Sequence, residues 1–233
     1  MVHWLLLSSS AFGQSYYVSV SGDDNDPGTL AQPFATVLRA SYSVAPGDTV
    51  FIRGGIYRVQ SEMWIASSGT VGAPITYKAY LNEVPIFDGS LTVNAWTQQT
   101  GEIYKGTLAT AVFVISDDVL LDEVTSLGQM TEGSYFKSGQ DLYVWCRGGG
   151  SPAAHDLGLL KKFVDWNQGA IFSIHGDHLN FEGITVRHAP GFGIAYQGTG
   201  SRFTACTSKY AIYYGMYIED STDTVVTGCT VRD

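Results

Sequence analysis

One repeat limits what this chain can fold into more than any other feature. Three pieces near its end superpose: Phe181-Glu-Gly-Ile-Thr-Val-Arg187, Phe203-Thr-Ala-Cys-Thr-Ser-Lys209 and Val226-Thr-Gly-Cys-Thr-Val-Arg232. The step is 22 residues from Phe181 to Phe203 and 23 from Phe203 to Val226. A second column keeps it, since Gly193-Ile-Ala-Tyr196 lies 22 residues before Gly215-Met-Tyr-Ile218. Short β-rich pieces at a fixed period in the low twenties, broken by Gly, Ser, Thr and Asp, mark a solenoid. The Leu-x-x-Leu-x-Leu frame of leucine-rich repeats is missing. This leaves a parallel β-helix, in which each repeat is one coil.

In that geometry each coil climbs by about one strand spacing, roughly 4.8 Å, so a residue sits on its counterpart one repeat later. Inward columns must then be apolar or small, as Phe181/Phe203/Val226 and Ile184/Cys206/Cys229 are. Thr, Glu and Ser alternate outward with the period of a half-wet strand. Stacked thiols fill such a core, and a disulfide between adjacent coils is the alternative for Cys206 and Cys229; Cys146 has no sequence partner.

The 233 residues, 45% hydrophobic and 15% charged, can bury a large core. A net charge of −9 argues against nucleic acid, which wants clustered Lys and Arg. No apolar run past the N-terminus reaches the roughly 20 residues of a membrane span. Residues 1–14 read as a secretory signal, with Trp4–Leu7 as its apolar core and Ala11-Phe-Gly13 as a small-x-small cleavage site. That places the protein outside the cell or in a periplasm. The basic n-region is missing, which leaves a truncated start or an ordinary N-terminal segment as alternatives.

From Tyr16 the chain reads as a strand and then the turn-rich Ser21–Gly28. An amphipathic helix follows from Pro33 to Val44, with Phe34, Val37, Leu38 and Tyr42 on one face. A helix here would cap the open first coil. Asp23, Asp24, Asn25 and Asp26 have the oxygen-rich character of a Ca²⁺ loop and equally that of a plain turn.

Tyr16-Tyr-Val-Ser-Val-Ser-Gly-Asp-Asp-Asn-Asp-Pro-Gly-Thr29, Gln32-Pro-Phe-Ala-Thr36, Pro46-Gly-Asp-Thr-Val50 and Arg53-Gly-Gly-Ile-Tyr57 resemble the opening of secreted right-handed parallel β-helix proteins. Ala73–Tyr80 and Pro85–Gly89 continue the likeness. The resemblance implies a superfamily of polysaccharide lyases acting on pectin, alginate and glycosaminoglycans, together with some glycoside hydrolases. Its lyases use Lys or Arg as base, often with Ca²⁺ held by acidic side chains, but no motif here transfers such a position. The expected organisation is therefore a cap and first coils over 15–90, a small β insertion over 91–165 where the step is lost, and further coils over 166–233. Within the insertion, Ser134–Trp145 reads as a hairpin around Lys-Ser-Gly-Gln. Trp96, Tyr135, Tyr143 and Trp145 there either stack on sugar or fill a small core. The chain stops in mid-coil at Asp233, so a longer protein continuing beyond it is expected.

The column that closes each repeat carries the sharpest chemistry. Arg187, Lys209 and Arg232 should stack, with His188, Tyr210 and Asp233 in the next column. Aligned cations repel unless something anionic is near. A uronate chain along the solenoid would supply carboxylates, and β-elimination needs that carboxylate neutralised, a base for the C5 proton and a donor to the leaving oxygen. Arg187, His188, Lys209 and Tyr210 are the catalytic candidates on this reading, and Arg232, Asp233, Glu219 and Asp220 the substrate contacts. The competing reading is a structural ladder paired to Glu182, Glu219, Asp220 or Asp223. Hydrolysis by paired carboxylates and a non-catalytic glycan-binding surface protein are the remaining alternatives.

Overall fold

The computed structural model describes residues 13–110, 112–162 and 169–232. The fold is all-β, and three parallel sheets wind through most of it. The first runs in order Ser15–Val18, Thr49–Ile52, Ile75–Ala79, Leu179–Glu182, Arg202–Thr204 and Val225–Thr227. The second holds Gly55–Arg58, Pro85–Asp88, Thr185–Arg187, Thr207–Lys209 and Thr230–Arg232. The third holds Met63–Ile65, Ala170–Ile174, Phe192–Tyr196 and Tyr214–Ile218. The chain passes from the first sheet to the second and then to the third. In the last three passes a two-residue corner joins the first sheet to the second, and its leading residue is left-handed: Gly183 (φ 68°), Ala205 (φ 51°) and Gly228 (φ 64°). Glycine takes that conformation without steric cost, and Ala205 does so under strain.

The repeat columns become strand registers. Phe181 pairs with Phe203 and Phe203 with Val226; Ala195 pairs with Tyr217. Inside, Tyr77, Phe181 and Phe203 stack face to face with centroids 4.9 and 5.5 Å apart. This column of offset rings adds to the area it removes from water. Cys146, Cys206 and Cys229 are all free thiols.

The helix is shorter than the sequence pattern predicts, covering Val37–Ser41 only. Phe34 is pulled out of it by a parallel bridge to Val18 and a hydrogen bond from its N–H to Tyr17 O. Asp24 then accepts hydrogen bonds from Ala35 N and Thr36 N, and Thr36 caps the helix by accepting from Arg39 N. Val37 and Ala40 enter the core, whereas Tyr42 is 73% exposed.

Between Asp88 and Ala170 the winding stops. Asp122–Val124, Ser134–Ser138, Asp141–Trp145, Ile103–Thr107 and Thr97–Thr100 form a largely antiparallel sheet. Val119–Leu120, Val112–Ser116 and Leu157–Lys161 form a second, antiparallel one. The Ser134–Trp145 hairpin is present, with Ser138 opposite Asp141 across a two-residue loop. These sheets close over their own core of Val112, Val114, Tyr135, Leu142, Val144 and Leu159. Tyr135 is a core residue, its hydroxyl donating to Val112 O at 3.0 Å, and Trp96 packs against the same core.

Candidate functional site

The cation column forms as a ladder, Arg187 beside Lys209 and Lys209 beside Arg232. It continues backwards to an acid, because Asp88 is the register partner of Arg187. Asp88 is fully buried. It accepts from Arg187 Nε at 2.8 Å, His188 Nδ1 at 3.2 Å and Ser90 N at 2.9 Å, and forms an ion pair with Arg58 Nη1 at 3.0 Å, which donates to Ser90 Oγ. Burial alone would raise its pKa, but the hydrogen bonds from His188 and Ser90 outweigh it and hold the carboxyl well below the usual range. Arg187 reaches on to Asp156 Oδ2 at 2.5 Å, Lys209 Nζ lies 3.3 Å from Asp118 Oδ2, and Tyr210 donates to Asp118 O at 3.0 Å.

The anions beside Arg187 and Lys209 thus come from the protein. They are Asp88, Asp118 and Asp156, not the Glu182, Glu219, Asp220 or Asp223 expected from sequence. Arg187 and His188 are 8% and 2% exposed, with His188 stacked on Tyr210 and backed by Gly158, so neither faces solvent as a substrate-facing strip requires. Lys209 and Tyr210 are half-buried and Arg232 is exposed; Asp233 lies outside the described residues, as does the apolar stretch read as a secretory signal. In the Asp23–Asp26 loop, Asp23 accepts from Asn25 and Asp24 from Ala35 and Thr36. Among the described residues no three His, Cys, Asp or Glu side chains group as metal ligands.

A different face gathers ligand-binding chemistry. Along the third sheet the outward register is Trp64, Ser173, Ala195, Tyr217. Trp64, 51% exposed, stacks on His175 with centroids 3.9 Å apart and planes 17° apart. Ser173 Oγ and His175 Nε2 share a 3.0 Å hydrogen bond that fixes the ring. Phe192 stacks on Tyr217 at 5.0 Å, and the Tyr217 hydroxyl donates to Glu219 Oε2 at 2.7 Å. That bond raises the Tyr217 pKa. Glu62 Oε1 accepts from Ala170 N at 3.2 Å. These groups bound a cleft of about 300 Å³ with Tyr196 and Gln197 also in its wall. Asp220 stands beside it, its Oδ2 accepting from Gln197 Nε2 at 3.2 Å. Of the residues predicted from sequence, therefore, Glu219 and Asp220 come together here, well apart in register from the ladder. Trp64, His175, Phe192 and Tyr217 were missed. The 22-residue step from Ser173 through Ala195 to Tyr217 could have located three of the four positions in the column, but not Trp64, which lies before the break in winding. Clefts of about 480 and 610 Å³ also occur, beside the helix and beside Trp96. In the second, Arg58, His155 and Asp156 are engaged with Asp88, Asp117 and Arg187.

Comparison with known proteins agrees with this architecture. The chain is 36% identical over 125 residues to the uncharacterized protein YwoF of Bacillus subtilis, covering 52% of this chain and 26% of that one. It is 38% identical over 73 residues to pectate lyase PEL9 of Emericella nidulans, covering 31% and 18%. The chain therefore spans about a quarter or less of the length of these curated relatives. A solved structure titled glycoside hydrolase superposes with a TM-score of 0.70 over 93% of this chain and 65% of its own, at 14% identity, a likeness of fold. The family model described as the Pel9A-like right-handed β-helix region matches residues 16–208, and the chain belongs to that family.

Proposed function

We propose that this protein is a carbohydrate-active β-helix protein that seats a polysaccharide along the outward face of its third sheet, in the cleft between Trp64 and Tyr217. The observation that carries this reading is the outward register of Trp64 and Tyr217, joined to His175, Phe192 and two carboxylates in one cleft. An exposed indole held flat by a stacked imidazole is a platform for the apolar face of a sugar ring. Glu219, oriented by Tyr217, and Glu62, oriented by the Ala170 amide, are placed to accept from sugar hydroxyls. Relatives named as a pectate lyase and a glycoside hydrolase support cleavage of the bound chain. The secretory reading of residues 1–14 and the same kinship support action outside the cell or in a periplasm. Within this reading Val37–Ser41 caps the first coil, and residues 91–165 are a β unit inserted between coils.

The test is glycan binding by Trp64→Ala. Trp64 is outward and half exposed, so the variant should keep the wild-type melting temperature and lose about tenfold in affinity, the scale of one stacking contact. Unchanged affinity removes the cleft from consideration.

A second reading, β-elimination on a uronate chain, is favoured by Arg232, which continues the ladder and is exposed. Arg232 would neutralise the uronate carboxylate, Lys209 would take the C5 proton and Tyr210 would donate to the leaving oxygen. Lys209→Ala should then abolish the ultraviolet-absorbing unsaturated product. Equal product from wild type and variant rejects those roles.

A further inference from the structure

We infer that the cleft between Trp64 and Tyr217 takes an uncharged glycan and excludes polyuronates; this rests on the first reading above and names its substrate class. The ionisable groups at the cleft decide the matter. Glu62, Glu219 and His175 line it, Asp220 borders it, and among the described residues no lysine or arginine lines it. Arg58, Arg187 and Lys209 stand on the second sheet, where Asp88, Asp156 and Asp118 engage them, and Lys78 and Arg202 stand on the first. An anionic chain in the cleft would therefore meet carboxylates with no lysine or arginine in the lining to offset them, inside a protein of net charge −9.

The same groups suit neutral sugar. Carboxylates accept strong hydrogen bonds from hydroxyls, and a pyranose ring presents C–H groups to the Trp64 indole.

The size of the discrimination follows from Coulomb's law. Two carboxylates about 6 Å from one uronate, in water-like dielectric, weaken binding roughly tenfold for that sugar alone. Salt should act in opposite senses on the two ligands. Neutral-glycan affinity should be flat with ionic strength, and any residual polyuronate affinity should rise as screening shortens the reach of the repulsion.

The experiment is calorimetric or electrophoretic titration of the full chain with soluble neutral xylan, galactan and glucan, and with polygalacturonate, each with and without Ca²⁺. Wild type should bind at least one neutral glycan, more weakly by about tenfold in Trp64→Ala and retained in Trp64→Phe. It should not bind polygalacturonate in either condition. The double variant Glu62→Gln, Glu219→Gln keeps an acceptor oxygen at both positions while removing both charges, so polygalacturonate affinity should appear or rise in it. Polygalacturonate binding by wild type overturns the inference, with or without Ca²⁺. If Trp64→Ala weakens that binding, the cleft is still the site and only the substrate class is wrong. If it does not, the reading of the cleft falls as well, and it falls too if no glycan of either charge binds.

Discussion

Replacing Asp88 by Asn should damage this protein more than any other single change of charge along the ladder. Asp88 is fully buried and serves Arg187, Arg58, His188 and the Ser90 amide at 2.8 to 3.2 Å. Asparagine is close in shape but offers one acceptor oxygen and turns an N–H group towards donors. Arg187, whose side chain is 10% exposed, would keep only Asp156, itself 47% exposed, as counter-charge. Removing one partner of a buried ion pair strands the other and costs about 3–5 kcal/mol. For a domain of this size that is roughly 10 °C in melting temperature. The sign with pH follows from the depressed pKa. The stabilisation is fully present above the unfolded carboxyl value of about 3.9 and is lost only as pH falls through the lower native value. Asp88 is thus ionised at both about pH 5 and about pH 8, and the deficit should not arise from its titration between them. The control is Asp118→Asn. That carboxylate is 55% exposed and faces a half-buried lysine, so the loss should stay below about 1 kcal/mol. Thermal and urea unfolding of both variants is the assay. A loss below about 1 kcal/mol for Asp88→Asn would refute the claim that its charge network holds the seam together.

Three further outcomes follow from the same geometry. His155 is hydrogen-bonded to Asp117, which raises the imidazole pKa and lowers the carboxyl pKa. The pair therefore stabilises most between about pH 4 and 6.5, lost above as His155 deprotonates and below as Asp117 protonates. His155→Gln should cost up to about 1 kcal/mol near pH 5.5 and less near pH 8.5, and equal losses would exclude the ion pair. A Cβ on Gly158 would lie 2.4 Å from His188 Nε2, and His188 is fixed by Asp88 and Tyr210. Gly158→Ala should thus cost about 1–3 kcal/mol in chemical unfolding, and a neutral result would mean that His188 is free to move. Burial pushes the Cys206 thiol up to about 12 and raises that of Cys146. Alkylation near pH 8 followed by peptide mass spectrometry should leave both unmodified in the native protein and modify both in denaturant. Native labelling of Cys206 would contradict its inward position.

What could be read from the sequence, and what could not, divides along one physical line. In a solenoid each coil touches its neighbours in sequence, so contacts between contiguous coils fall at a fixed step. That is why Phe181, Phe203 and Val226 could be stacked in advance, and why Arg187, Lys209 and Arg232 could be placed in one column. The rule fails across the stretch where the winding stops. There Trp64 pairs with Ser173, and Arg187 with Asp88, 99 residues earlier. Lys209 finds Asp118 from 91 residues away, and Arg187 finds Asp156 from 31. None of these distances is a multiple of the repeat, so no periodicity announces them. The helix was overextended for a related reason. Phe34 has helical spacing with Val37, but its backbone is taken by Val18 and Tyr17, and a tertiary strand bridge outweighs a weak local propensity.

The consequence reaches past this chain. A ladder of like charges in a repeat sequence states only that a column exists; its meaning depends on the counter-charges. Here those counter-charges are Asp88, from a coil before the break, and Asp118 and Asp156, from the segment that interrupts the repeat, and they fold Arg187 and His188 into an internal seam. The face left open to solvent is marked by aromatic rings and carboxylates. A ligand for this protein should be sought by its fit to that face.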